Sequence, residues 1–563
     1  MMQWIKRNAV EITIVLLVLI SHTFVSLADP NTVLNWYHVD DAFYYFKTAQ
    51  NISEGRGVTF DGLGPTNGFH PLWLIVCIPV FSLARYDLIL PLRLLILIQG
   101  LFNIGTGILL YRMSRRILSH ETAVFISFFW LLIPQIYATV MVGGLESGIN
   151  AFFIVFLWFR LSSLPSTNEL MTNLRQVGEL GLLAALAILS RLDNAFIAVA
   201  VGVWLLYLYW SPVRNEEHRS KSHWLWRIKV GFVYSLPVII LVGAYLLWNL
   251  VYIGHLLPIS SEVKQWWGTL RNTPYGVPPT SFRGFISEAF VNGDVGTGPW
   301  SFFFGPFLNI RDLLEKHGLQ NLIRLRWLIL VSIPLIYFWR KLIFSATRRL
   351  ALIPLFLACL GQITYYKLSG HVAQREWYWV IELIFIVLVL GLLIEGVKGF
   401  IQKIPRLGPV TVRILLSASL IYLAYIHFDF VTHRFSFQGN YEGHFYLDRA
   451  NWVKNNTEPD AKIAITGSGN LGYFTPERTI INLDGLISNY DYLQHIQNGM
   501  GAEYLTSVGV DYVMGGGWIL KMSPYKDTLA GHVEEVKKYK HDVEGVNQIL
   551  WRFVLMSKAG QDK

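Results

Sequence analysis

Charged residues are scarce in this chain, and cysteine is nearly absent. Only 15% of the 563 residues are Asp, Glu, Lys or Arg, whereas a soluble domain usually carries about 25%. The two cysteines, Cys77 and Cys359, lie far apart in apolar runs. The sequence therefore argues against a soluble enzyme, a disulfide framework and a cysteine metal site.

Hydrophobic residues make up 53% of the chain. They occur in blocks of roughly 20 residues, the length that spans a bilayer. We predict a mainly α-helical, polytopic membrane protein with about 11 spanning helices. The predicted spans are 9–27, 88–111, 121–140, 148–164, 177–190, 195–210, 230–251, 322–339, 349–367, 377–396 and 412–427.

Basic residues gather in short loops between the blocks, so the net charge of +9 indicates topology and not nucleic-acid binding. Lys6 and Arg7 predict a cytoplasmic N-terminus in the plasma (inner) membrane. Although 26–28 weakly resembles a signal cleavage site, the first block is long, and we expect an uncleaved helix. Four later clusters are also expected inside: Arg112, Arg115 and Arg116; Arg214, Arg219, Lys221, Arg227 and Lys229; Arg340, Lys341, Arg348 and Arg349; and Lys398, Lys403, Arg406 and Arg413.

Two irregular segments are needed to satisfy this topology. The run 70–84 is too short to span a core of about 30 Å, so we predict a partly inserted helix. Between 177–190 and 195–210 we predict a break at Arg191-Leu-Asp-Asn194, because one continuous helix would bury Arg191 and Asp193 in lipid. Polar residues at such a break are typical of binding sites.

The same topology places five polar clusters on one face of the membrane. They are 38–70, 143–146, 191–194, the loop 252–321 and 371–379. Residues 1–427 are therefore predicted to form a transmembrane catalytic domain with extracytoplasmic loops at 28–69 and 252–321.

The tail from 428 to 563 has a different composition and is predicted to be a small extracytoplasmic α/β domain. Segments 462–466 and 511–514 indicate strands, and 446–455 and 490–497 indicate helices. Gly467-Ser-Gly-Asn-Leu-Gly472 matches a dinucleotide-binding pattern, but in this context we interpret it as a tight strand-to-helix turn.

An acidic pair, Asp40-Asp41, precedes a segment with aromatic residues at helical spacing. We predict a helix lying in the membrane interface. One interpretation is that either aspartate is a helix N-cap. The other is that a carboxylate held as an anion at this helix start accepts a proton from a hydroxyl, with one aspartate capping while the other acts.

The sequence resembles the bacterial GT-C glycosyltransferases, akin to protein O-mannosyltransferases and the aminoarabinose transferase of lipid A. The resemblance is carried by Asp40-Asp-Ala-Phe-Tyr-Tyr45, by Gly68-Phe-His-Pro-Leu-Trp73 and by Asn482-Leu-Asp-Gly-Leu486. It covers the first ~260 residues best. The family usually has Asp-Glu where this chain has Asp-Asp, and Pro-Pro-Leu where this chain has His70-Pro-Leu.

This resemblance implies an inverting glycosyltransferase, hexosyl or pentosyl, that moves a sugar from a polyprenyl-phosphate donor to an extracytoplasmic glycan, lipid or protein. Asp40 is then the catalytic acidic residue, with Asp41 beside it. The predicted partners are this donor, the acceptor and membrane lipids, with no nucleic acid. The rival hypothesis is a transporter or flippase of lipid-linked saccharides, but the sequence shows no internal repeat.

A departing phosphate needs cations, and Lys264, Arg375 and Arg191 are the candidates. Each has an alternative: Lys264 can extend towards the interface, Arg375 can pair with Glu376 or stack on aromatics, and Arg191 can pair with Asp193. Further residues predicted to bind donor or acceptor are Glu146, His70, Asp193 and Tyr44.

A metal site is the last alternative for the acidic loop. His38, Asp40, Asp41 and His70 are suitable ligand types, but no fixed short spacing links them. We predict no cofactor and do not favour a divalent metal.

Overall fold

The computed structural model describes residues 2–164, 174–208, 222–286, 298–300, 316, 318, 334, 337–404, 408–435, 444–541 and 545–554. Most of the predicted span 322–339 and part of the 214–229 basic cluster lie outside these residues. The described chain is mainly helical, with one small sheet near its C-terminal end.

Eighteen α-helices precede the C-terminal segment in the described chain. Their bounds are α1 Met2–Arg7, α2 Ala9–Ser26, α3 Pro30–Trp36, α4 Asp41–Ser53, α5 Pro71–Phe81, α6 Leu90–Ser114, α7 His120–Leu132, α8 Pro134–Val140, α9 Ser147–Leu161, α10 Leu174–Ser190, α11 Ala195–Leu208, α12 Ser222–Trp248, α13 Ile259–Trp267, α14 Phe282–Ile286, α15 Arg340–Arg349, α16 Leu352–Leu368, α17 Val380–Ile401 and α18 Gly408–Arg434.

Several of these helices are long and apolar enough to cross a membrane. By length and composition the described residues contain 5 such helices, or up to 7 if each bent pair is one span. The bent pairs are α7 with α8, at 58°, and α15 with α16, at 79°. The chain is therefore a multi-pass membrane protein, as predicted, while the count of about 11 spans stays a prediction.

The two irregular segments occur where the sequence placed them. Helix α5 has 11 residues and continues into a short 3₁₀ turn, which agrees with a helix too short to span. Helix α10 ends at Ser190, and a 3₁₀ turn at Leu192–Asn194 leads into α11. The predicted break is confirmed.

Helix α4 is enclosed by the rest of the protein. Residues 42–51 are all buried, because α5 packs on one side and the C-terminal segment on another. Four buried aromatic rings in 43–46 fill this contact. Helix α4 thus joins the helical body to the C-terminal segment, and its location in the membrane interface stays a prediction.

The C-terminal segment is an α/β unit with a five-stranded sheet in the order β2-β1-β3-β5-β4. Strands β1, β2 and β3 are parallel, whereas β5 runs antiparallel to β3 and β4. The elements are α19 Phe445–Asn456, β1 Lys462–Ile465, α20 Gly469–Phe474, β2 Thr479–Asn482, α21 Tyr490–Gln497, α22 Gly501–Ser507, β3 Tyr512–Gly515, α23 Tyr525–Leu529, β4 Val533–His541 and β5 Val546–Phe553.

The predicted helices at 446–455 and 490–497 correspond to α19 and α21, and the two predicted strands correspond to β1 and β3. Strands β2, β4 and β5 were not predicted. In parallel sheets, ligands bind in the crevice outside the carboxyl ends of the strands. Here the turns that follow β1 and β2 lie against the start of α4.

Candidate active site

The acid pair lies at the start of α4, and its two carboxyl groups have different surroundings. Asp40 accepts hydrogen bonds from the backbone N–H groups of Gly469, at 2.9 Å, and Asn470, at 2.8 Å, and another from the Asn470 side chain. Asp40 is the N-cap residue of α4 by position, as one interpretation expected, but its side chain makes no capping hydrogen bond. Asp41 is partly exposed, and its carboxylate accepts no hydrogen bond from any residue that the structure describes. The two carboxyl groups therefore differ in how many of their acceptor sites are occupied by described residues.

The backbone donors to Asp40 come from the glycine-rich turn between β1 and α20. Gly467 has a φ of +58°, and a Cβ on Gly469 would lie 2.3 Å from the Asp40 carbonyl oxygen. A side chain at Gly469 would push this turn away from α4. The predicted strand-to-helix turn at 467–472 is confirmed, and it binds a carboxylate of the same chain.

Arg449 supports this contact from within the C-terminal segment. Its guanidinium is buried and donates to the side-chain oxygens of Asn470 and of Gln548, the latter at 3.2 Å. Burial raises the pKa of Asp40 overall, although the positive charge of Arg449 and the three N–H donors lower it. The Asp40 carboxylate thus has a fixed orientation, with both oxygens accepting hydrogen bonds.

Asp41 has the electrostatic surroundings of a base. Burial raises the pKa of its carboxyl from 3.8 to about 6, the charges of Lys264 and Arg375 lower it, and those of Asp40 and Asp484 raise it. A base with a pKa near the working pH combines a useful ionised fraction with real proton affinity. This carboxyl group can therefore accept a proton near neutral pH.

Two of the predicted cations are near Asp41. Lys264, on α13, is buried and donates to the carbonyl oxygen of Ala373, at 3.3 Å, and to the hydroxyl of Tyr378, with its ammonium 4.9 Å from the ring centre. Arg375 is exposed, and the described residues offer its guanidinium no hydrogen bond or ion pair. Its pairing with Glu376 is therefore not seen. Among the described residues the Arg375 guanidinium thus has no partner, and Lys264 is held by Ala373 and Tyr378 of the same 372–378 segment.

Arg191, the third predicted phosphate partner, is already neutralised. Its side chain is 2% exposed and pairs with Glu146, at 2.5 Å, and with Asp193, at 3.0 Å. The guanidinium also lies 4.6 Å from the ring centre of Tyr378. The alternative that Arg191 pairs with Asp193 is confirmed. Because two carboxylates use its charge, we assign it no phosphate contact.

Glu146 and Asp193 were expected to bind donor or acceptor, but both lie in this buried ion network. Glu146 also accepts from the hydroxyl of Tyr45, at 3.0 Å, and lies 3.7 Å from the His70 ring. Burial lowers the pKa of His70, which keeps the imidazole neutral at pH 7, and the described residues give its Nδ1 no partner. Of this group, His70 is the member with a polar atom left for a ligand.

Tyr44 connects the acid pair to the second strand of the sheet. Its hydroxyl accepts from the side chain of Asn482, at 3.1 Å, and Asn482 also donates to Asp484, at 3.4 Å. Burial raises the pKa of Tyr44 well above 10, and the neighbouring aspartates add to that effect. The Tyr44 hydroxyl is therefore neutral and its position is fixed by the C-terminal segment.

No group of three or more His, Cys, Asp or Glu side chains in the described part of the chain is arranged to hold a metal ion. His38 is exposed, and the His70 ring lies 3.7 Å from Glu146. The four ligand types singled out for a metal thus do not form one cluster, and we derive no chemistry from a metal.

Sequence reasoning missed the residues that the C-terminal segment adds to the site. Asn470 and Arg449 orient Asp40, and Asp484 lies near both members of the acid pair. Asp484 belongs to the 482–486 motif that carried part of the family resemblance. That motif could have indicated Asp484 as a site residue, but the sequence does not show which residues Asp484 contacts.

Two family models match separate parts of the chain. Residues 91–241 match the family model of dolichyl-phosphate-mannose-protein mannosyltransferase. Residues 435–557 match a domain of unknown function. No curated protein matches the sequence.

Solved structures that are similar to this chain include two membrane enzymes. Cupriavidus metallidurans ArnT bound to undecaprenyl phosphate has 12% identity and a TM-score of 0.48, covering 98% of this chain and 99% of that one. Archaeoglobus fulgidus oligosaccharyltransferase AglB, in complex with an inhibitory peptide and a dolichol-phosphate, has 13% identity and a TM-score of 0.46, covering 97% and 74%.

The family match falls on the helical body that carries Glu146, Arg191 and Asp193. It includes α6 to α11 and most of α12. This match agrees with the resemblance to protein O-mannosyltransferases that was expected from the sequence.

Proposed function

We propose that this protein is an inverting glycosyltransferase that moves a sugar from a polyprenyl-phosphate donor to a hydroxyl group of an extracytoplasmic glycan, lipid or protein. The name of the matched family specifies a dolichyl-phosphate sugar as donor, which supports a lipid-phosphate donor here. Nucleic acid has no place in this function.

The observation that carries the proposal is that a carboxylate and a guanidinium, each without a partner among the described residues, occur in the same site. Asp41 has no hydrogen bond from its carboxylate, and Arg375 has no counter-ion, among the residues described. The two charges act on each other, and Lys264 adds a second positive charge. Transfer from a lipid phosphate needs this combination, because one group must take a proton while another stabilises the leaving phosphate.

In the proposed reaction, the acceptor hydroxyl gives its proton to the Asp41 carboxylate as its oxygen bonds to the anomeric carbon. The bond from that carbon to the phosphate oxygen breaks on the opposite face, which inverts the configuration. The bonding electrons leave with the lipid phosphate, and Arg375 and Lys264 stabilise its charge. Asp40 orients the start of α4 and does not take the proton.

The choice of Asp41 over Asp40 follows from hydrogen bonding. Three N–H donors point at the Asp40 carboxylate, and protonation would break these charge-assisted bonds. Protonation of Asp41 breaks no hydrogen bond to a described residue. The family resemblance implied Asp40 as the catalytic acid, so the two variants must be compared directly.

The activity itself is tested with the purified protein in detergent or vesicles. Candidate polyprenyl-phosphate sugars are supplied with extracytoplasmic glycolipids and glycans, and products are identified by mass spectrometry, with and without the protein. We expect a glycosylated acceptor whose anomeric configuration is opposite to that of the donor. Retained configuration contradicts the inverting mechanism, and transport of intact donor without transfer favours a flippase.

The pH dependence of the transfer follows from the pKa of Asp41. A carboxyl group acts as a base only when it is ionised, which is the case above its pKa of about 6. We therefore expect kcat/KM to be constant at higher pH and to fall about tenfold per pH unit well below pH 6. Initial rates across pH 4.5 to 8 check this, with folding monitored at each pH. A profile that is flat down to pH 4.5 contradicts a base with this pKa.

Arg375→Ala is expected to weaken donor binding by about 10–100-fold, because a hydrogen bond to a charged group contributes roughly 1.5–3 kcal/mol. The measurement is the donor KM, with the Kd of a sugar-free polyprenyl phosphate as an independent value. Arg271→Ala is the matched control, since Arg271 is an exposed arginine in the loop after α13. Equal donor affinity in the two variants removes Arg375 from the phosphate site.

A further inference from the structure

Asp484 is a carboxyl group that the proposed reaction does not use, yet it is buried beside the acid pair. Its oxygens accept hydrogen bonds from the backbone N–H of Gly467, at 2.7 Å, and from the hydroxyls of Tyr275, at 3.2 Å, and Tyr525. The Asn482 side chain lies 3.4 Å away. Burial raises the pKa of Asp484, whereas the three donors Gly467, Tyr525 and Tyr275 favour its anion.

These bonds connect Asp484 to both halves of the site. Towards the base, Gly467 starts the turn that binds Asp40, and Asn482 bonds to the Tyr44 hydroxyl on α4. Towards the cations, the ring of Tyr275 stacks on Trp267, at the end of α13, with ring centres 3.5 Å apart.

Backbone contacts carry the second connection further. The carbonyl oxygen of Tyr275 accepts from the N–H of Ala373, at 3.3 Å, and that of Lys264 accepts from the N–H of Val372, at 3.3 Å. Asp484 is thus linked through Tyr275 to the segment that carries Arg375 as well as to the helix that carries Lys264.

We propose that Asp484, in the segment of unknown function, is a positioning residue of the transfer reaction: it holds α4 and α13 at a fixed separation and adds a third negative charge beside the acid pair. This inference rests on the proposed function. It gives residues 435–557 a role, because the site is incomplete without their turns after β1 and β2.

The negative charge of Asp484 changes the pKa of Asp41. A neighbouring anion disfavours ionisation of Asp41 and so raises its pKa. Removing that charge lowers the pKa of Asp41 and weakens it as a base. The charged and titratable groups around the two carboxyls are Asp40, Tyr44, Lys264, Tyr275, Arg375, Tyr492 and Tyr525.

The experiment compares Asp484→Asn and Asp484→Glu with the wild type in pH profiles of kcat/KM for the donor. Asp484→Asn keeps the shape of the side chain but removes its charge. We therefore expect the acid limb of the profile, where kcat/KM falls with decreasing pH, to shift to lower pH by about half a unit or more. We also expect kcat to fall about tenfold. Asp484→Glu keeps the charge on a longer side chain, so the acid limb stays while kcat falls. Asp491→Asn removes an exposed carboxylate of the same segment and is expected to change neither.

An acid limb in Asp484→Asn that coincides with that of the wild type overturns the inference, even if kcat is lower. If Asp484→Asn does not fold, Tyr275→Phe replaces it, because it cuts the link to α13 while leaving the carboxylate in place. We expect a donor KM raised about fivefold or more, and an unchanged KM counts against the inference. If the wild type transfers no sugar, the proposed function is contradicted. If Asp41→Asn is inactive but the Asp484 variants have wild-type kcat and pH profiles, only this inference is contradicted.

Discussion

Asp41→Asn is expected to lower kcat by about 10²–10⁴-fold, the usual contribution of a positioned base. The amide has nearly the same shape, so folding, membrane insertion and donor binding should remain. It cannot accept the proton of the acceptor hydroxyl, and only the chemical step is lost. The measurement is single-turnover transfer at saturating donor, together with the Kd of polyprenyl phosphate.

Two further variants make this result specific. Glu54→Gln, just past the C-terminal end of α4, is the matched control, since Glu54 pairs with Arg56, and it should keep wild-type rates. Asp40→Asn replaces one acceptor oxygen with an amide that faces N–H donors of 469–470, so we expect lower thermal stability and a smaller loss of kcat. A larger loss in Asp40→Asn than in Asp41→Asn, with both proteins folded, reverses the assignment and restores the expectation from the family resemblance.

Arg191→Met is expected to destabilise the protein by about 3–5 kcal/mol, the usual cost of removing one partner of a buried ion pair. Its guanidinium neutralises Glu146 and Asp193, which are 3% and 5% exposed. Without it, two carboxyl groups must be protonated or stay charged in a poorly solvated interior. Thermal or denaturant unfolding in a fixed detergent measures the loss.

Arg175→Met is the control for this prediction. Arg175 is 90% exposed and pairs with Glu179, at 3.4 Å, and such surface pairs contribute about 0–1 kcal/mol. A loss in Arg191→Met no larger than in Arg175→Met contradicts the structural role given to the buried network. Donor affinity in the folded fraction tests the remaining alternative, because a phosphate-binding Arg191 would also raise the donor Kd.

Both the helical body and the site must accommodate charged side chains near lipid. Arg191, Glu146 and Asp193 are stabilised by pairing with one another. Asp41 and Arg375 lie at the partly exposed edge of the same cluster, where water or a ligand can reach them. We propose that the paired residues give rigidity, and that Asp41 and Arg375, which have no partner among the described residues, contact the substrate.

The sequence by itself determined the class of the protein and the location of its chemistry. Hydrophobic blocks of bilayer length identify a membrane protein, because backbone groups in lipid must be satisfied within helices. The break at 191–194 and the short run 70–84 were predictable for the same reason, since charges and short helices are costly in a bilayer. The acidic pair was conspicuous because it lies in the first loop after an apolar block and begins a helix.

Only the tertiary structure decided which aspartate accepts hydrogen bonds from described residues and which cation is paired with carboxylates of the chain. Asp40 is bound by donors more than 400 positions away along the chain, and Arg191 meets Glu146 across 45 positions. Local periodicity reports which residues share a helix face, but it carries no information on such distant partners. A carboxylate's basicity and a guanidinium's availability depend on those partners, so the roles of the residues become definite only when the chain is folded.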